Sequence, residues 1–264
     1  MGFTIEVFQE PGRFLDEESF SGLSGQIRDI AGSCFHTLPQ YQAMVGTREA
    51  LSDKLISIAR DEDTGTALGF CSMVFLDVQG GGRVLHLGLT CVRPEARGRR
   101  LTHFLVKKAL TGYLLKQNPF GKIWISNCAA VLSSLGNVAM HFEGVYPSPF
   151  YDRAPSTAHL KIARAIDREF RDKMYVKADA VLDEERFVFR GSVKGTVFHK
   201  ERDDFSYHHR KNGLNRFYAN IMNFEQGDEV LQIGYFRLVS VIRYILRQYR
   251  MKKLNRRQKP ALEL

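Results

Sequence analysis

Apolar positions recur with two different periods along this chain, and the sharpest change of period falls between Arg83 and Leu110. Up to Val92 the period is two. Val84, His86, Gly88, Thr90 and Val92 fall on one face, and Leu85, Leu87, Leu89 and Cys91 on the other. A strand apolar on one face and small or apolar on most of the other belongs near the middle of a sheet. Arg93-Pro94 ends it, because proline has no N–H for the ladder. After a short loop through Arg97-Gly98 the period lengthens, and Leu101, Leu105, Ala109 and Tyr113 recur as one face of a helix.

The same two periods divide the rest of the chain. Ile5 to Phe8 reads as a short first strand, and Leu15 to Phe35 as a helix buried through Phe20, Leu23, Ile27, Ile30 and Ala31. Leu55 to Ala59, a polar turn ending at Gly65, and Leu68 to Leu76 predict a hairpin that leads through Gly80-Gly81-Gly82 into the central strand. Lys122 to Ser126 is the next strand, and a helix runs from beyond Asn127 to about Phe142. Further on, Thr157 to Tyr175 is an amphipathic helix and Arg186 to Arg190 alternates as a strand. Phe217–Phe224 and Glu229–Phe236, on either side of a glycine turn, predict a second hairpin.

The strand–loop–helix joint has a use in chemistry. The first turn of a helix leaves N–H groups unpaired at the positive end of the helix dipole. Arg97, Arg99 and Arg100 add charge there, which suits a phosphate; an ordinary connection with solvated arginines is the alternative. Val92-x-Pro94-x-x-Arg97-Gly98-x-x-Leu101 resembles the acyl-CoA pyrophosphate loop of the GNAT superfamily of acetyltransferases, whose core pattern is Arg/Gln-x-x-Gly-x-Gly/Ala. Arg97 matches the first position, while Arg100 and Thr102 replace the glycine and the Gly/Ala. The element order over roughly residues 1–150 is also similar to that family's.

The resemblance implies a donor, acetyl-CoA or another acyl-CoA, with its pyrophosphate on Arg97, Gly98, Arg99, Arg100, Leu101 and Thr102. It implies the pantetheine arm in the gap between the central strand and the next, against Cys91, Val92 and Asn127; Asn127 is equally suited to capping a helix. It implies a general acid about seven residues after Asn127, which is Ser134 here, with Tyr146 as a substitute. The family's glutamate base falls at Gly88, which has no side chain. His86, two residues earlier, is the replacement by alternation, or else a histidine bonded within the sheet. Cys128 at a helix start is either an activated thiol or a small packing residue.

Composition narrows the alternatives. The 264 residues are 44% hydrophobic and 25% charged, enough for one full core with an elaboration. Cys34, Cys71, Cys91 and Cys128 stand far apart with no metal-ligand spacing, and neither His36 nor His199, His208 and His209 come with ligand partners, so no metal is expected. The opening MGFTIEVFQEPGRF has neither a charged start nor a long apolar run, so it reads without a signal peptide, and cytoplasmic. The net charge of +9 is local: residues 237–264 carry nine Lys or Arg against one Glu, leaving the other 236 near +1. Leu238, Ile242, Ile245 and Tyr249 make this tail a basic amphipathic helix, docked on the body or lying peripherally on an anionic membrane surface. It has no nucleic-acid recognition motif.

The expected architecture is α/β (α+β), with a GNAT-like mixed, mainly antiparallel central sheet flanked by helices and a C-terminal elaboration. Residues 1–155 form the acyl-CoA-binding core, 156–236 a helical insertion with a closing hairpin of the same sheet, and 237–264 the basic helix and tail. The expected activity is direct transfer of an acyl group to a small-molecule amine. The alternative is a catalytically inactive module on the same fold that binds CoA, a membrane or a partner.

Overall fold

A computed structural model describes residues 2–242. Chain order gives β1 (Phe3–Gln9), α1 (Pro11–Phe14), α2 (Glu17–Gly32), α3 (Arg48–Leu51), β2 (Lys54–Asp61), β3 (Ala67–Val78), β4 (Gly82–Val92) and α4 (Leu101–Gln117). These are followed by β5 (Lys122–Ala129), α5 (Leu132–His141), β6 (Glu143–Tyr146), α6 (Thr157–Glu169), β7 (Val181–Asp183), β8 (Val188–Arg190), α7 (Asn212–Ile221) and β9 (Glu229–Arg237). The basic tail lies outside the described residues from 243 onward.

One sheet organises the molecule, in the order β1-β2-β3-β4-β5-β9-β8-β7, with β6 also paired to β9. β1 to β4 form an antiparallel meander, and β9 returns antiparallel beside β5 over Lys122↔Arg237 to Ala129↔Val230. β4 and β5 are the parallel neighbours, and they pair only at Leu85↔Ile125 and His86↔Ser126. The sheet is thus mixed but mainly antiparallel, with helices on both faces. α4 covers one face through Leu101, Leu105, Ala109 and Tyr113, the stripe visible in the sequence, over Leu55, Met73 and Leu85. On the other face α2 packs over Ile56, Ile58 and Phe70, and α6 over Val74, Val84 and Ile233.

The central strand departs from simple alternation. Met73 pairs with Leu87 but Cys71 with Thr90, so two steps along β3 span three along β4. This is a β-bulge around Gly88. An extra residue inverts the facing of everything after it. Leu85 and Leu87 therefore pack on the α4 face, whereas Leu89 and Cys91 pack on the α2 face. His86 and Thr90 accordingly do not share a face.

The second predicted hairpin is half right. Glu229–Phe236 lies within β9, but Phe217 to Ile221 ends helix α7, and β9 pairs instead with β5, β6 and β8. Leu214, Asn215 and Tyr218 supply a helical face that buries against α5, with Tyr218 fully enclosed, and this tertiary burial decides the local conformation. Asn127 and Cys128 lie inside β5 rather than at a helix start, and Val131 is the residue preceding α5.

At the entrance of α4, Gly98 has φ +80° and Arg100 has φ +61°. An L-residue in the left-handed region costs about 1–2 kcal/mol. Glycine there gives back part of that gain because its unfolded chain is freer, by about 0.4–1 kcal/mol. Arg100→Gly should therefore raise stability by about 0.5–1 kcal/mol, as read from the midpoint of a urea melt. A loss of stability would mean that the Arg100 side chain itself supports the turn.

Candidate acyl-CoA cleft

Past Leu85 and His86 the two parallel strands separate, and the gap between them widens into a cavity of about 500 Å³. Its floor is made by Leu87 to Thr90 on β4 and by Asn127 to Ala130 at the end of β5. Thr102, Val106 and Lys107 of α4 form one wall, and Ser133, Ser134 and Asn137 of α5 the other. The cavity runs through the sheet. On the α2 face it reaches Tyr41, Tyr175, Phe198, Lys200 and Glu229.

The expected binding residues divide by what holds them. Arg97, Gly98 and Arg100 are exposed at the start of α4, and Thr102 lines the cavity. Leu101 is buried in the core under the helix, so only its backbone can serve a ligand. Arg99 is drawn to the β1–β2 edge, 3.7 Å from the Asp61 carboxylate and 3.4 Å from the Gly2 carbonyl, with its guanidinium over Phe3. Cys91 is buried on the α2 face, where burial and the neighbouring Cys34 raise its thiol well above the ordinary range; it contributes no side chain to the gap. Val92 pairs with Gly69 at the end of the ladder.

Asn127 does line the gap, but its carboxamide is part of a buried chain. Its Nδ2 donates to Gln232 Oε1 at 3.0 Å, and Ser134 Oγ donates to its Oδ1 at 3.5 Å. Ser134 is thus in the cleft, next to Asn127. Tyr146 is not. Its hydroxyl donates to the Glu185 carbonyl at 2.6 Å and lines a separate groove with Tyr151 and Phe217, which removes it as a general acid for this site.

His86 is also misplaced for its expected role. It is 1% exposed, stands opposite Val74, and its Nδ1 is 3.1 Å from Ser126 Oγ. Burial, with Lys54 nearby, lowers its pKa to about 3. The bulge turns it away from Thr90, and a ring that is so hard to protonate is a poor acceptor for an ammonium proton. Cys128, half-buried beside the Glu229 carboxylate, has its thiol pushed well up by desolvation and by that charge and is not activated. His199, His208 and His209 are each engaged by a backbone group, and His209 packs on Gly136.

Several groups at the cleft have no signal in the local sequence. Glu229, the first residue of β9, is 7% exposed and accepts a hydrogen bond from Ser192 Oγ at 2.6 Å. Burial raises its pKa to about 7. His103, on α4 at the cleft, has its pKa lowered by burial and then by Arg100 and Arg210, the last from the loop before α7. Gln42, buried with φ +47°, points at the bulge. An acid opening an apolar strand was the one readable hint, at Glu229.

An antiparallel meander, a parallel neighbour that splays from its central strand, and an Arg/Gly loop opening the helix between them agree with the architecture implied by the sequence resemblance. The fold is GNAT-like. No family model and no curated protein matches this chain. Solved structures similar to it include a GNAT-family acetyltransferase from Brucella melitensis in complex with acetyl-CoA, 15% identical over 47% of this chain and 75% of that one, with a TM-score of 0.33. Ribosomal-protein-alanine N-acetyltransferase from Brucella melitensis is 15% identical over 44% and 74%, with a TM-score of 0.32. Glucosamine-6-phosphate N-acetyltransferase from Arabidopsis thaliana is 15% identical over 44% and 77%, with a TM-score of 0.30. The divergence between β4 and β5 opens the sheet at the cavity.

Proposed function

We propose that this chain binds an acyl-CoA in the β4–β5 cleft and transfers the acyl group directly to an amine. The observation that carries the proposal is the cleft itself. The β4–β5 ladder stops after two registered pairs, and the gap it leaves extends to the N-terminal turn of α4. The free edges of the diverging strands suit a ligand arm with amide groups, which can hydrogen-bond as another strand would. At the helix end, Arg97, Gly98 and Arg100 surround the first-turn amides, a setting for a pyrophosphate. Thr102 and Lys107 continue that wall inward, and Asn127 and Ser134 face them from the other side.

In this arrangement the protein's contribution is mostly positioning. Ser134, held by Asn127, is the hydroxyl offered to the departing thiolate. The mouth on the α2 face, with Tyr41, Tyr175 and Phe198, is the acceptor entrance.

Calorimetric titration of the full chain with acetyl-CoA tests the assignment. Each charge-assisted contact to phosphate is worth about 1.5–3 kcal/mol, so Arg97→Ala should weaken binding roughly 10- to 100-fold. Arg99→Ala should change it much less, because Arg99 is engaged at the β1–β2 edge. Equal affinity of wild type and Arg97→Ala would remove the phosphate site from this loop, and no binding of acetyl-CoA to the folded protein would end the acyltransferase proposal.

A further inference from the structure

The bulge beside the cleft leaves no room for a side chain at position 88 of β4. A side chain at Gly88 would begin 2.1 Å from Gln42 Oε1 and 2.5 Å from the Ser72 carbonyl oxygen, so glycine is required for space. Gln42 fills that volume. Its Nε2 donates to Tyr41 Oη at 2.6 Å, while its Oε1 is buried without a partner among the described residues. A carboxylate does reach the same cavity, from another strand. Glu229 enters from β9, beside Cys128 on β5, fixed by Ser192. Its surroundings are sparing in charge. Buried Tyr41 and half-buried Cys128 stand beside it, both held neutral by desolvation and by its own charge, and Lys200 also lines this mouth. Tyr41, Tyr175 and Phe198 meet edge to face, with centroids 5.1–5.5 Å apart, and make the rest of the wall apolar.

We propose that Glu229 is the proton acceptor of the transfer, and that the acceptor is a primary amine carried on an apolar or aromatic arm. This rests on the acyl-transfer assignment above. The amine nitrogen attacks the thioester carbonyl carbon, the N–C bond forms and the C–S bond breaks. The sulfur leaves as thiolate and takes a proton from Ser134 or water. The nitrogen loses two protons between ammonium and amide: Glu229 takes the first and passes it to water, and the second replaces the one that Ser134 or water gave to the sulfur. Acyl-CoA and an ammonium thus give an amide, CoA thiol and one proton, with no change of oxidation state. A carboxylate raised to about 7 by burial is matched to this task at neutral pH.

The test uses the full chain with acetyl-CoA and two probe amines, benzylamine and hexylamine, following CoA release across pH 5.5–9. Wild type should turn over at least one probe, with an acidic limb inflecting near pH 7. Glu229→Gln should lower kcat about 10²- to 10³-fold and lose that limb, while its affinity for acetyl-CoA stays within about threefold. Glu229→Asp, which keeps the carboxylate on a shorter arm, should restore part of the rate together with the limb. A Glu229→Gln rate equal to wild type, or a limb near pH 7 that survives in it, would overturn the base assignment and leave acyl transfer standing. Acetyl-CoA binding without turnover of either probe would overturn the acceptor class and the base with it. Failure of wild type to bind acetyl-CoA would overturn the earlier assignment as well. A urea melt of Glu229→Gln separates a lost base from a lost fold.

Discussion

Gln232→Ala should cost about 3–6 kcal/mol of folding stability, far more than its polar identity suggests. Gln232 is in the middle of β9, fully buried, between the sheet and the α5–α7 pair. Its Nε2 donates to the Leu135 carbonyl at 3.1 Å and to Tyr218 Oη at 2.7 Å, and its Oε1 accepts from Asn127 Nδ2 at 3.0 Å. Truncation strands the Asn127 amide at about 1–3 kcal/mol, removes the second hydrogen bond of the Leu135 carbonyl and the one to Tyr218 at about 0.5–1.5 kcal/mol each, and leaves a small cavity. Tyr218 loses less, because its hydroxyl still donates to the Pro147 carbonyl at 3.1 Å. Against a typical total of about 5–15 kcal/mol, the variant should approach the threshold of folding. Gln232→Leu separates the two contributions: it restores most of the volume, so a cost within 1 kcal/mol of the alanine variant would assign the effect to hydrogen bonds. If urea melts of both variants lie within 1 kcal/mol of wild type, the network contributes little. The same glutamine holds Asn127 at the cleft floor, so acetyl-CoA affinity should fall with it.

The contrast between what could and could not be read from the residues has a physical cause. The strands of the meander, the α4 stripe and the Arg97–Gly98 joint depend on local periodicity, and each stands within a few residues of its expected place. The bulge does not. A single glycine in an apolar strand is compatible with regular pairing, a bulge or a close approach, and only the partner strand decides. That one insertion put Thr90 on the opposite face from His86, and it is burial against Val74 and Ser126 that removes His86 as a base. Phe217 to Phe224 carries apolar residues at mixed spacing, and its conformation follows from burial against α5 rather than from its own pattern. Glu229 lines the cleft and Gln42 fills the space at Gly88 from segments 141 and 46 positions away from Gly88 in the chain. Proximity of that kind comes from sheet order, which no local window contains.

His86 and Glu229 should also shape the pH dependence of stability, in opposite directions. His86 has a folded pKa of about 3, below its ordinary 6.5, because burial and Lys54 disfavour the imidazolium. Between those values the unfolded chain binds more protons, so the contribution is complete above pH 6.5 and is lost as pH falls toward 3. The loss is on the order of 4 kcal/mol by pH 3. Burial displaces His103, His159 and His209 the same way, which steepens the acid limb. Glu229 is the converse. Its folded pKa of about 7 exceeds the ordinary 4.5, so the folded protein binds the extra proton, and stability is lost as pH rises from 4.5 through 7, by on the order of 3 kcal/mol. Denaturant melts at pH 4, 6 and 8 should therefore show Glu229→Gln gaining on wild type as pH rises, with the largest gain at pH 8. His86→Asn, which keeps a hydrogen-bonding group toward Ser126 but cannot take up the proton, should show a shallower acid limb than wild type. A Glu229→Gln difference that is flat with pH would mean that the carboxylate is ionised in the fold at an ordinary pKa. It would then lack the basicity that the transfer requires of it.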